Sequence, residues 1–332
     1  MIALESLRWR GEGLSRPECV LAHRSGVLVV PCWEGTGGVD VLCPDGTQRR
    51  VLADAPKVHG RDEAFRPNGI ALEEGGTVLL AHLGETAGGV YRLWSDGGWE
   101  AVTEAVDGAP MPPANFCTRD HAGRLWFTVS TRVTPRADDY RRDAATGFIA
   151  LHDGEGGTRI VADGLGYTNE VAVSPDGARL WVNETFARRT TRFEVGADGA
   201  LMGRTVVAEH GHGTFPDGLA LDEEGGVWVV SIVSNRVLRI APDGGVETML
   251  EEADADHLAW VEAAYEADAM GRAHLDGVPS RHLRQLSNVA FGGEDRRDAW
   301  LGCLLGDRIA GFRAPVAGMA PAHWDVDLGA LA

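Results

Sequence analysis

The chain has no Cys-x-x-Cys pair, and its five cysteines (Cys19, Cys32, Cys43, Cys117 and Cys303) are scattered and odd in number. That pattern excludes a zinc ribbon and a disulfide framework, and it favours a reducing cytoplasm. No apolar run reaches the ~20 residues that a membrane-spanning helix needs. The opening MIALESLRWRGEG has no apolar leader segment. Cationic residues are few: 31 Lys and Arg stand against 49 Asp and Glu, for a formal net charge of −18. Such a surface repels nucleic acid and anionic membranes, and it favours solubility and a bound cation. No G-x-S-x-G elbow occurs, so a serine-triad hydrolase has no support. Helical 3.6-residue periods are absent over most of the chain.

Glycine is abundant, with 44 in 332 residues and no collagen period. Tight turns between short strands account for it. Six segments repeat one pattern of a polar residue, an apolar run, an acidic or Gly turn, and a strand. They read PECVLAHRSGVLVVPCW, PNGIALEEGGTVLLAHL, ANFCTRDHAGRLWFTVS, TNEVAVSPDGARLWVNET, PDGLALDEEGGVWVVSI and SNVAFGGEDRRDAWLGCLL. The polar positions are Glu18, Asn68, Asn115, Asn169, Asp217 and Asn288. Most are spaced by about 50 residues, in the range of propeller repeats. Further strands with Asp-Gly or Gly-Gly turns follow most pairs, such as GVDVLCPDG and NRVLRIAPDG, giving about four strands per unit. The prediction is an all-β, six-bladed propeller over residues 1–332, closed by a strand from MIALESLRW or from the C-terminal HWDVDLGAL. Residues 251–285, rich in Ala, Glu and Leu, break the period. They predict one or two inserted helices before the last inner strands, as a lid or as packing.

The inner strand of each propeller blade lines a central channel. If the six polar positions face it, one Glu, one Asp and four Asn form a ring. Two neighbouring buried carboxylates are costly unless something neutralises them. One divalent cation does so. An all-oxygen set points to calcium first, then magnesium or manganese, before zinc. The competing reading is local: Asn68-Gly69 and Asp217-Gly218 are also ordinary turn dipeptides.

YTNEVAVSPDGARLWVNET, FPDGLALDEEGGVWVVSIVSNRVLRI and RPECVLA resemble the senescence-marker-protein/gluconolactonase family, which includes regucalcin and sugar lactonases. The resemblance runs from about Pro17 to Arg313. It implies one divalent metal in the channel, held by Glu18, Asn169 and Asp217, with Asn115 near metal and substrate. It also implies Asp217 as general base. Three departures concern the substrate more than the metal. ECVLA replaces the family's EGPVW, Pro113 stands where an Arg is frequent, and Glu170 stands where Gly is common.

The expected activity is metal-dependent hydrolysis of a lactone or related ester, a small molecule. The cation would polarise the carbonyl, and Asp217 would take the proton of the attacking water. Asn115, Asn68, Asn288 and His212 are the candidate substrate contacts, with Asn68 and Asn288 alternatively capping their blades. His210 and His212 otherwise form a solvated loop pair, and His257, His274 and His282 lie on the insertion. Trp33, Trp126, Trp181 and Trp228 recur at the second strand and are assigned to packing between blades. The alternative function is a non-hydrolytic binding protein, lyase or isomerase on the same scaffold.

Overall fold

The computed structural model describes residues 1–154 and 157–332. Its six four-stranded antiparallel sheets form a six-bladed β-propeller. The inner strands are Leu21–Ala22, Pro67–Glu73, Phe116–Arg119, Thr168–Val173, Phe215–Leu221 and Leu286–Gly292. Five blades are meanders whose strand order follows the chain.

The second strands are buried at every position in Leu28–Cys32, Leu125–Val129 and Val227–Ile232. A blade is covered on both faces by its neighbours, so its middle strands carry apolar side chains on both sides. The outer strands face water and are largely exposed, as in Leu201–Glu209. Trp126 and Trp228 are fully buried, and their indole N–H groups donate to Asp120 and Asp222 at 2.9 Å. Those two carboxylates also accept backbone N–H groups of their hairpin turns. The repeated Asp-x5-Trp spacing therefore fixes a turn and a core tryptophan together.

The last blade holds strands Leu286–Gly292, Asp298–Cys303 and Ile309–Arg313. Its outer strand is Arg8–Arg10, with Arg8 opposite Gly311 and Arg10 opposite Ile309. The N-terminal segment, not the C-terminal one, therefore closes the ring. Deleting residues 1–10 leaves the Ile309–Gly311 edge unpaired, a template for aggregation. The expected result is a melting temperature lower by about 5 °C or more. Differential scanning calorimetry with light scattering checks it.

Between the fifth and sixth blades, helices Ala255–Glu266 and Arg272–Asp276 occupy the predicted insertion. Asp254 caps the first helix through the backbone N–H of His257. Glu262 on this helix makes a bidentate pair with Arg188, both buried, and accepts the N–H of Gly213. The three insertion histidines make local bonds: His257 with the His274 carbonyl, His274 with Gly271, and His282 with Glu252. Among the described residues, no helix is long and apolar enough to cross a membrane.

Candidate active site

All six repeat-register residues are buried. Asn68-Gly69 and Asp217-Gly218 lie inside inner strands rather than in turns. Their glycines have a packing reason. A Cβ at Gly69 would come within 2.6 Å of the Phe116 Cα, and one at Gly218 within 2.6 Å of the Asn288 Cα. Inner strands of adjacent blades meet there backbone to backbone. The strand ladders also skip between Pro67 and Ile70, Thr168 and Val171, and Pro216 and Leu219. Asn68, Asn169 and Asp217 fall inside these skips. A bulge re-aims the side chain it carries, here toward the axis.

Hydrogen bonds link the ring from blade to blade. Asn68 Nδ2 donates to Glu18 Oε1 at 2.5 Å and to Asn115 Oδ1 at 3.1 Å. Asn115 Nδ2 donates to Asn169 Oδ1 at 2.6 Å, and Asn169 Nδ2 to Thr185 Oγ1 at 3.1 Å. Thr185 Oγ1 in turn donates to the Pro216 carbonyl at 2.7 Å, beside Asp217.

Glu18, Asn115, Asn169 and Asp217 line one cavity. The sequence-derived metal set is thus brought together. Asn68 lies behind this cavity, bonded to Glu18 and Asn115. Asn288 lines a second, larger cavity with Glu170. That cavity lacks Glu18 and Asp217, so the paired-carboxylate chemistry belongs to the smaller one. His212 is exposed on its loop, where its carbonyl accepts from Arg236, and it does not line the site. His210 bonds Thr190, and burial pushes its pKa down to about 4. Arg16, Arg136, Tyr140, Tyr167 and Arg272 line the site but were not singled out from the sequence.

The electrostatics are unbalanced. Burial, then Glu18 and Glu170, raise the Asp217 carboxyl well above the usual carboxylate range. Among the described residues, no hydrogen bond reaches the Asp217 carboxylate. Arg16 pairs with Glu18 Oε2 at 3.0 Å, but without hydrogen-bond geometry, and that oxygen has no hydrogen-bond donor. Asn68 Oδ1 is likewise buried without a partner. A Glu18 oxygen with no hydrogen-bond donor and an Asp217 carboxylate with none, lining one cavity, fit a hard divalent cation. Among the described residues, no three His, Cys, Asp or Glu side chains form a metal-binding group. The set that fits is therefore two carboxylates with amide oxygens.

Burial raises Glu170 to about 8, with a smaller push from Glu18, against hydrogen bonds from Asn288 and the Leu219 N–H. A raised folded pKa means stability is lost as pH rises from the unfolded value near 4.5 to about 8. Glu170→Gln removes that cost. In chelator, its melting temperature should exceed wild type more at pH 9 than at pH 5. A gap that stays constant with pH would contradict this.

The family model described as SMP-30/gluconolactonase/LRE-like region matches residues 39–254. The chain belongs to this family. A 6-deoxy-6-sulfogluconolactonase of Pseudomonas putida is 30% identical over 177 residues, covering 52% of this chain and 56% of that protein. A virginiamycin B lyase of Nocardia farcinica is 31% identical over 181 residues, covering 52% and 54%. The chain spans about half the length of the curated relatives it matches. Among solved structures, the calcium-binding protein regucalcin from Agrobacterium tumefaciens aligns with a TM-score of 0.60. That alignment covers 94% of this chain and 96% of the other at 16% identity, so it speaks to the fold. This SMP-30/gluconolactonase-type chain therefore combines the family's propeller with a channel cavity that also holds three arginines.

Proposed function

We propose that the protein is a metal-dependent hydrolase of a lactone or related ester. The observation that carries this reading is the Asp217 carboxylate, buried and without a hydrogen-bond donor, in one cavity with Glu18, Asn115 and Asn169. Family membership and the Pseudomonas relative's name support the reaction class. Glu18, Asp217 and the amide oxygens of Asn115 and Asn169 would hold the ion, calcium by preference for oxygen ligands. When bound, the cation supplies polarisation of the carbonyl and charge stabilisation as the oxyanion develops.

Asp217 is the general base. It takes a proton from water as the water oxygen bonds to the carbonyl carbon. The ring C–O bond then breaks, and the proton passes to the leaving alkoxide, giving a hydroxy acid. A general base needs an oxygen free to take the proton, and among the described residues no hydrogen bond reaches the Asp217 carboxylate. The hydrogen-bonded chain from Glu18 to Thr185 fixes the oxygen positions before substrate arrives, which limits reorganisation. The five free thiols support a cytoplasmic setting.

The match to a lyase gives a second reading, in which Asp217 removes a carbon-bound proton and the ester opens by elimination. Turnover in 18O-labelled water separates the two. Hydrolysis puts one labelled oxygen into the product acid; elimination puts in none and leaves a new C=C bond.

A further inference from the structure

The geometry points to an anion subsite built on Arg136, so that the substrate carries a negatively charged group away from its reacting carbonyl. Only the reacting group depends on the hydrolase reading. Arg136 comes from residues 130–146, a long connection between the second and third strands of the third blade. Its Nε donates to the Tyr167 hydroxyl at 2.9 Å. It makes no other hydrogen bond and no ion pair among the described residues, yet it lines the cavity with Glu18 and Asp217. A guanidinium has five N–H donors in a fixed fork, suited to carboxylate, sulfonate or phosphate oxygens.

The guanidinium is held by a frame. Tyr167 adopts φ +68, a left-handed conformation unusual for a bulky residue. Its ring meets Tyr140 edge to face at 5.5 Å, and Tyr140 stacks on Phe186 at 4.7 Å. At the rim, the exposed Arg272 reaches the Tyr140 hydroxyl at 3.5 Å while pairing with Asp276. The frame keeps Arg136 from collapsing onto Glu18 or Asp217.

A counter-ion role for Arg136 is the competing explanation. Its charge does act on Asp217, but it is among the smaller influences there, and it pairs with neither carboxylate. Arg16 already occupies the Glu18 side. A cation bound by the two carboxylates would offset the negative charge nearest Arg136, and an anionic substrate group would supply its counter-charge.

Two experiments test this. The first needs no turnover. Calcium-saturated wild type, Arg136→Gln and Arg136→Lys are titrated with acetate and methanesulfonate, against the uncharged acetamide and dimethyl sulfone, at constant ionic strength. Gln keeps a donor for the Tyr167 hydroxyl, and melting curves confirm folding. Wild type should bind at least one anion and neither neutral analogue, and Arg136→Gln should weaken that binding about tenfold or more. Arg136→Lys should fall between. Comparing acetate with methanesulfonate tells a carboxylate from a sulfonate ligand. Absence of anion binding by wild type, or equal binding by Arg136→Gln, overturns the subsite.

The second compares kcat/KM for D-glucaro-1,4-lactone, which carries a carboxylate, and the neutral D-glucono-1,5-lactone. Arg136→Gln should lower the charged-to-neutral ratio about tenfold. An unchanged ratio with turnover intact overturns the subsite and leaves the hydrolase reading standing. If no lactone is opened but anion binding follows Arg136, the hydrolase reading fails and the subsite stands.

Discussion

Asp217→Asn lowers lactone turnover by about a thousandfold or more while leaving the cation-free protein as stable as wild type, or more so. General-base catalysis is worth roughly 10²–10⁴ in rate, and here the same carboxylate is also assigned to hold the ion. Asparagine keeps the size and shape of the side chain but accepts no proton at neutral pH. The stability half follows from the raised carboxyl pKa, caused by burial and then by Glu18 and Glu170. A raised folded pKa means that ionising Asp217 costs stability as pH rises above the unfolded value. Asparagine removes that cost, so the gain should be larger at pH 8 than at pH 5. Steady-state kinetics and thermal melts in chelator measure both halves. A variant that loses activity and also melts well below wild type would assign Asp217 to structure instead of catalysis. Loss of activity beside retained stability is what a strained functional group produces.

The propeller and the ring were legible because they repeat. A repeat unit cannot bury its faces alone, so each unit shows the same strand pattern and offers its polar residue at the same register. That logic placed Glu18, Asn115, Asn169 and Asp217 together. It did not place Asn288. In the sixth blade the ladder skip falls at Ser287, and Asn288 is paired directly with Gly302. A one-residue change in register reverses the face that a strand side chain sees, and Asn288 accordingly meets Glu170 at the second cavity. Arg136, Tyr140 and Tyr167 escaped for another reason. They lie outside the inner-strand register, two of them on a connection that has no counterpart in the other repeats. The only sequence signal was the abnormal length of that connection. Arg272 and Leu275, on the inserted second helix, complete the cavity by the same kind of departure. On the proposed reading, the reacting chemistry lies in the repeats, and the features that select a substrate lie where the period fails.

Stripping divalent cations abolishes turnover and lowers the melting temperature, and calcium restores both. Without an ion, Glu18 and Asp217 share a buried cavity with one ion pair, Arg16 to Glu18, as direct compensation. Like charges held in place repel, and a cation that binds only the folded ring stabilises it by about 2.7 kcal/mol at a hundredfold excess over Kd. For a chain of this size that is several degrees. The shift should be smaller in Glu18→Gln and in Asp217→Asn, because each removes one charged ligand. It should be almost unchanged in Glu170→Gln, since that carboxyl opens on the other cavity. This pattern across three variants discriminates a channel site from surface binding by an acidic protein. Surface binding would follow the overall charge of −18 and respond equally to all three substitutions. Equal shifts would remove the ring from the cation-binding role. A graded set, with Glu18 and Asp217 dominant, would place the ion between blades one and five, where the orphaned Glu18 oxygen and the unbonded Asp217 carboxylate face the same cavity.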